Sequence, residues 1–216
     1  GDTSIKLAEE RTVEKVLLIV ITSDRGLCGG YNANLIKLAK LTIAEKYANQ
    51  YQKGNVTIWN IGKKGYEGLQ KAGYKVDATY KDIFLNLNFE SVQAAAQAAM
   101  KAFENKEFDA VEIIYSEFKN AATQILVNEQ LLPIANSVSE NTSAASDYIF
   151  EPGKIAILED LIPRSLNTMF YRAVLDSLAS EHGARMVAMD KATENAGDLL
   201  RAFRLAYNQA RQAAIT

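Results

Sequence analysis

The sequence predicts an α/β fold: a Rossmann-like mixed, mostly parallel sheet of about five strands with flanking helices, continued by a long C-terminal coiled-coil helix. Three observations predict it. Residues 13–22 (VEKVLLIVIT) are rich in β-branched side chains and almost continuously apolar, as a strand buried on both faces of a parallel sheet requires. Strand-like and helix-like patterns then alternate up to residue 134, the order of an open sheet with helices on its faces. From Met186 onward, Met186, Met189, Thr193, Ala196, Leu200, Phe203, Tyr207, Ala210 and Ala214 recur at alternating spacings of 3 and 4, a heptad seam sustained over four repeats.

The strand at 13–22 is expected at the centre of the sheet. The turn SDRGLCGG (23–30) leads into a helix over 31–51, with Leu35, Leu38, Ala39, Leu41, Thr42 and Ala48 as its stripe, so that strand, tight turn and helix open a βαβ unit. Residues 55–61 (NVTIWNI) read as a second strand and 63–72 as a short helix closed by Gly73. A third, weaker strand is expected over 76–80. The stretch 89–104 is helical because alanine has the highest helix propensity, and its small side chains let it lie close to the sheet. Residues 110–118 (AVEIIYSEF) and 123–134 (TQILVNEQLLPI) are strands joined by the turn at 119–122; a connection that short forces an antiparallel pair. Residues 136–146 are small and polar, hence a loop, and 147–153 (DYIFEPG) read as a short extended segment ending in a turn.

The last helix is expected to begin near Lys154 or after Pro163, where a first-turn proline is tolerated. Counted from residue 162, at 1.5 Å per residue it is ~80 Å long, more than a domain of this size covers. Much of it therefore protrudes, and its seam requires a partner helix. Thr193, Ala196, Ala210 and Ala214 let a partner backbone come close, while Leu200, Phe203 and Tyr207 supply larger knobs. Residues 199–216 carry Arg201, Arg204 and Arg211 and no acid, whereas Asp190, Glu194 and Asp198 precede them; this polarity suits the helix dipole and makes the tip basic. No capping residue closes the helix at Thr216 and Gly1 stands where Met is usual, so both termini are expected to be cut or processed.

Composition removes several function classes. A chain of 216 residues, 48% hydrophobic, can bury one sizeable core with a helical appendage. Its 24 Lys+Arg against 26 Asp+Glu give no basic excess, which argues against nucleic acid or anionic lipid as the main partner. A single cysteine, Cys28, excludes an internal disulfide framework and points to a reducing compartment. The most apolar run, 16–21, is too short to span a bilayer, so no direct membrane insertion is expected, and the opening residues resemble neither a signal nor a transit peptide.

Catalytic chemistry finds little support. The glycines of residues 23–30 follow a buried strand, where backbone N–H groups can approach a phosphate, but the pattern is neither GxGxxG nor GxxxxGK[ST]. Ile61-Gly62-Lys63 stands where an acidic ribose ligand is expected, and a tight turn with Asp24 and Arg25 at the sheet's edge is the better reading. Cys28 has no histidine base within reach, since His182 is the only histidine and lies on the distant helix, and a small buried cysteine is expected. The same scarcity of His and Cys excludes a metal site. Glu9-Glu10 and Glu159-Asp160 read as solvated faces.

Residues 21–32 (ITSDRGLCGGYN) and 184–216 (ARMVAMDKATENAGDLLRAFRLAYNQARQAAIT) resemble, in this order, the two signature segments of the gamma subunit of rotary F-type ATP synthases, of bacterial type. The resemblance implies a non-catalytic central-stalk rotor, in which an N-terminal and a C-terminal helix form an antiparallel coiled coil inside the ring of alpha and beta subunits, above a Rossmann-like base. On that reading 1–12 is a remnant of the N-terminal shaft helix, 13–152 the globular domain and 153–216 the C-terminal shaft helix. Arg211 and Gln212 match the family's pair that contacts a loop of the catalytic beta subunit, and Phe150 and Glu151 match positions near the polar loops of the membrane c-ring. The implied partners are alpha and beta subunits, an epsilon (or delta-type) stalk subunit, the c-ring and the chain's own N-terminal helix. No cofactor is implied in this chain, because ATP, ADP and Mg are bound by the alpha and beta subunits. The implied location is peripheral, on the cytoplasmic face of a bacterial cell membrane, since the regulatory cysteine insertion of chloroplast members is not seen. Two rival readings are a Rossmann-like nucleotide-binding enzyme, which predicts a ligand at residues 24–30, and a coiled-coil adaptor that self-associates through the seam.

Overall fold

The computed structural model describes residues 6–135 and 152–216, and the side chains of all of these except 152–158. The five strands are β1 (Val16–Ile21), β2 (Val56–Ile61), β3 (Val76–Asp77), β4 (Ala110–Asn120) and β5 (Thr123–Leu132). The helices are α1 (Tyr31–Lys46), α2 (Ala48–Gln52), α3 (Lys63–Lys71), α4 (Phe89–Glu104) and α5 (Pro152–Ile215). The sheet runs β3-β2-β1-β4-β5, parallel except for the β4/β5 hairpin, so the predicted central strand and antiparallel edge are both found.

Every residue of β1 is buried, which is why its apolar run is unbroken: Leu17, Ile19 and Ile21 face one side and Leu18 and Val20 the other. On the first side lie α4 and the start of α5, where Ala95, Ala96 and Ala99 bring α4 down onto the sheet as their size predicts. Asn88 caps that helix, accepting the Ser91 backbone N–H at 2.7 Å. On the second side lie α1 and α3, through Leu35, Ala39, Ile43 and Leu69. Each fully buried Leu, Ile or Phe contributes about 1.5–3 kcal/mol relative to an exposed one.

Several boundaries differ from expectation, each for a physical reason. The helix expected over 31–51 breaks at Tyr47 (φ −126°), whose ring turns inward to 4% exposure beside Glu112 on β4. Burial and that carboxylate raise the Tyr47 phenol above its ordinary range. Glu112 is itself buried and paired with Lys46. The third strand is only two residues long, and a 3₁₀ turn (Ile83–Asn86) precedes α4. The turn between β4 and β5 tightens to Ala121 and Ala122, lengthening both strands.

The largest correction concerns α5. It begins at Pro152, so Pro152 and Gly153 are helical and not the end of an extended segment, and Pro163 lies in the helix interior and not in its first turn. A proline there removes one backbone donor, and the helix continues across it. The loop expected at 136–146, the extended residues 147–151, and Phe150 and Glu151 lie outside the described residues.

Candidate functional site

The 64 residues of α5 make a rod about 95 Å long, and its two ends have different surroundings. Along its first half, Leu166, Phe170, Ala173, Ser177 and Ser180 are buried against the body, with Ala184 half-buried beyond them. Their spacings alternate 4 and 3, a second heptad stripe turned away from the seam read in the sequence. Its polar serines hid it. Ser180 lies where the rod crosses the β4/β5 hairpin and Ser177 lies against Tyr31 of α1, and large side chains there would hold the rod off the body.

The approach is close. A Cβ added at Gly183 would stand 3.0 Å from both the Cα and the carbonyl oxygen of Ala121 at the hairpin tip. Hydrogen bonds fix the rod at the same level. Ser180 Oγ donates to the Ser116 carbonyl at 3.1 Å and Tyr31 Oη donates to the Ser177 carbonyl at 2.9 Å. Burial, with Glu181 nearby, pushes the Tyr31 phenol well above its ordinary value, so it stays a donor. Arg185 closes the socket, pairing with Glu181 at 2.7 Å and donating to the carbonyls of Arg25 and Gly26 at 3.3 Å.

The turn after β1 is thereby accounted for. The first three N–H groups of α3 are all taken by it: Lys63 by Asp24 Oδ1 at 3.0 Å, Lys64 by the Ser23 carbonyl at 2.9 Å and Gly65 by Thr22 Oγ1 at 2.9 Å. A Cβ on Gly65 would come within 2.6 Å of Thr22 and 2.4 Å of Asn60, so the helix end sits directly on the strand ends. In a dinucleotide-binding sheet that crevice is where a pyrophosphate lies against a helix N-terminus. That place corresponds to the start of α1; what protein fills here is the α3 side of the turn, at residues 22–24.

Cys28 is 2% exposed, the small buried cysteine expected, and Asn32 donates to its sulfur at 3.4 Å. His182 is exposed on α5, as are Glu9 and Glu10 near the chain's start. Glu159 is half-buried, while Asp160 is exposed and pairs with Arg164 at 2.9 Å. Among the described residues no group of three or more His, Cys, Asp or Glu is placed to hold a metal ion, and no helix is long and apolar enough to cross a membrane.

Beyond the socket the rod stands alone. From Met189 to Thr216 every residue except Gly197 is exposed, so about 40 Å of helix projects without support from the rest of the described chain. The seam lies along this length: Met186 is 52% exposed, Met189 40%, Leu200 52%, Phe203 63% and Tyr207 68%, with Thr193, Ala196, Ala210 and Ala214 exposed between and beyond them. Arg211 and Gln212 sit together near the tip, open to solvent. The seam positions and the Arg211-Gln212 pair thus share one projecting arm, while Phe150 and Glu151 lie outside the described residues. The body-facing stripe, Tyr31 and the Arg185 clamp are what sequence reasoning missed; only the 4-3 spacing from Leu166 to Ala184 signalled them.

Known proteins share this arrangement. The family model described as ATP synthase matches residues 2–216. The ATP synthase gamma chain of Cytophaga hutchinsonii is 50% identical over 212 residues, 97% of this chain and 72% of that one. The gamma chain of Chlorobaculum tepidum is 47% identical over 217 residues, covering 100% of this chain and 74% of its own length. Among solved structures, the central stalk and c-ring assembly of Tetrahymena thermophila mitochondrial ATP synthase contains a chain with TM-score 0.60 and 26% identity, covering 89% of this chain and 83% of that one. A chain of the Euglena gracilis mitochondrial ATP synthase rotor has the same fold, with TM-score 0.65 at 23% identity, covering 100% of this chain and 83% of that one. With a family model spanning nearly its whole length and relatives at half identity, this chain belongs to the ATP synthase gamma-chain family.

Proposed function

We propose that the chain works as the central-stalk rotor of an F-type ATP synthase, coupling ion-driven rotation of a membrane c-ring to conformational change at catalytic sites on other subunits. One observation carries this reading: a single helix is clamped into the body on one side and presents an uncovered apolar seam over about 40 Å on another. A rigid base with a bare arm suits a part that transmits motion. The chain's own N-terminal helix is the partner proposed for the seam, as an antiparallel coiled coil.

In this reading the shaft is asymmetric and turns inside a ring of alternating alpha and beta subunits, meeting each beta subunit differently. Differential contact of that kind biases one conformation over another and so couples distant sites. Arg211 and Gln212 at the basic tip would touch a beta-subunit loop, while Phe150 and Glu151 would lie toward the c-ring. An epsilon (or delta-type) subunit would complete the stalk. The chain itself performs no catalysis: ATP, ADP and Mg are held by alpha and beta. The proposed place is peripheral, on the cytoplasmic face of a bacterial membrane, without membrane insertion and without nucleic acid.

The test is reconstitution with alpha and beta subunits, followed by native mass spectrometry and ATP hydrolysis. One copy per ring of three alpha and three beta, with hydrolysis enhanced, is the expected result. Failure to join the ring, together with nucleotide binding by the chain alone or self-association through the seam, would overturn the proposal.

A further inference from the structure

We propose that the cleft between the N-terminus of α1 and the arm is a binding site for a small tetrahedral oxyanion, with inorganic phosphate as the probe. Three elements line this space of about 490 Å³: the start of α1 with the Cys28–Gly30 part of the turn, the β4/β5 hairpin, and α5. It adjoins the socket but shares none of the α3 contacts that fill the other side of the turn. The proposal stands independently of the rotor reading.

Two independent observations point to an anion. The first is the helix end. The 16-residue α1 has no acid in its first turn, and its N-cap, Gly30, has no side chain to accept a hydrogen bond. The Tyr31 N–H is held by the Cys28 carbonyl at 3.3 Å, which leaves those of Asn32 and Ala33 to face the cleft. Such an end carries about half a positive charge and directs donors at whatever lies in front of it. The second is Ser116. It is 1% exposed, lines the cleft, and its Oγ has no hydrogen-bond partner among the described residues. It shares a strand face with Glu112 and Ile114, which lie against α1, so it forms the floor of the cleft on that side. A buried hydroxyl left unpaired is costly, and a ligand oxygen arriving there relieves the cost.

The walls supply the remainder. Lys191 on the arm brings a full positive charge, and Asn34 and Asn195 bring amide donors. Gln124 brings the second N–H of an amide whose first is held by the Ala121 carbonyl at 3.0 Å. No carboxylate lines the cleft among the described residues. Donors from three elements thus converge from different directions. That arrangement suits a tetrahedral anion, whose oxygens point apart, better than a planar carboxylate that accepts from one side.

The experiment is a titration of the full chain with inorganic phosphate near neutral pH at constant ionic strength, reading backbone amide resonances. The expected result is saturable shifts at Tyr31, Asn32, Ala33 and Lys191, reproduced by sulfate. Lys191→Gln should weaken binding about tenfold, in line with the loss of one charge-assisted hydrogen bond, and Lys191→Arg should restore most of it. Ser116→Ala should weaken it several-fold. Lys191 is exposed, so its variants keep the fold and decide the matter if Ser116→Ala does not fold. Shifts that grow without saturation, that are unchanged in Lys191→Gln, or that acetate saturates at the same concentrations would each overturn the proposal.

Discussion

Between Leu166 and Ala184 the long helix turns Leu166, Phe170, Ala173, Ser177, Ser180 and Ala184 toward the body; between Met189 and Ala214 it turns Met189, Leu200, Phe203 and Tyr207 toward nothing else in the described chain. Both stripes keep the alternating rhythm of 3 and 4. Rhythm therefore reports that a helix face has a partner, and composition reports how near the partner comes. Where the hairpin backbone presses in, the stripe shrinks to Ser180 and Ala184, with Gly183 beside them. Where the partner would be another helix, knobs of Leu, Phe and Tyr alternate with alanine.

Substitutions in the two stripes should separate cleanly in the isolated chain. Phe170→Ala, at 0% exposure in the core shared with α4, should have the largest effect, about 3–5 kcal/mol lost in a denaturant titration. Gly183→Val forces carbon into the backbone of Ala121 and should lose about 1–3 kcal/mol, with amide shifts concentrated at the hairpin tip. Tyr31→Phe deletes one buried hydrogen bond to the arm and should lose about 0.5–1.5 kcal/mol. At the far end, Leu200→Asp with Phe203→Asp should change unfolding free energy by no more than about 0.5 kcal/mol yet abolish assembly with alpha and beta subunits. A substantial loss of stability from that pair would mean the seam already has a partner within the chain.

The tyrosines extend the contrast to alkaline pH. Tyr115 is pushed up to about 12, first by burial and then by Glu129, and Tyr31 and Tyr47 are raised further. A phenol whose folded value lies above its unfolded value of 10.0 binds more protons in the folded state. Its contribution is fully present below pH 10 and is lost as pH rises toward 12. Stability measured from pH 9 to 12 should therefore fall, and Tyr115→Phe should flatten part of that fall.

Much of this was legible in the sequence because it follows from local pattern. The all-buried β1 had to be apolar throughout, the alanines of α4 had to lie close, and four residues could not carry a parallel crossover. The seam was legible because its apolar residues keep the 3-and-4 rhythm from Met186 to Ala214. What escaped were features set by tertiary contact. Tyr47 breaks a helix because its ring finds a buried place beside Glu112. Of the two onsets read for α5, the one near Lys154 lies two residues from the observed start and the one after Pro163 is too late, since the long helix runs through that local breaker. The body-facing stripe passed unread because Ser177 and Ser180 are polar, and it is explained by Tyr31 on α1 and Ser116 on β4, far away in sequence. The partners of the glycine-rich turn, the end of α3 and Arg185, escaped because they lie 39 and 160 residues away from Asp24 and Arg25.

One unbroken helix with unequal support should also show unequal clocks in hydrogen exchange. Amides around Phe170 to Ser180 exchange only when the whole core opens, because their side chains are tied into it. Past Met189 the bonds are the same in kind, but only the helix itself protects them, and isolated helices are marginal in water. Protection should therefore decay along the rod from the global value to that of a peptide, within a single secondary-structure element. Any partner that covers the seam will announce itself as a rise in that decaying profile, residue by residue, and the position where the rise ends will mark how far up the arm the partner reaches.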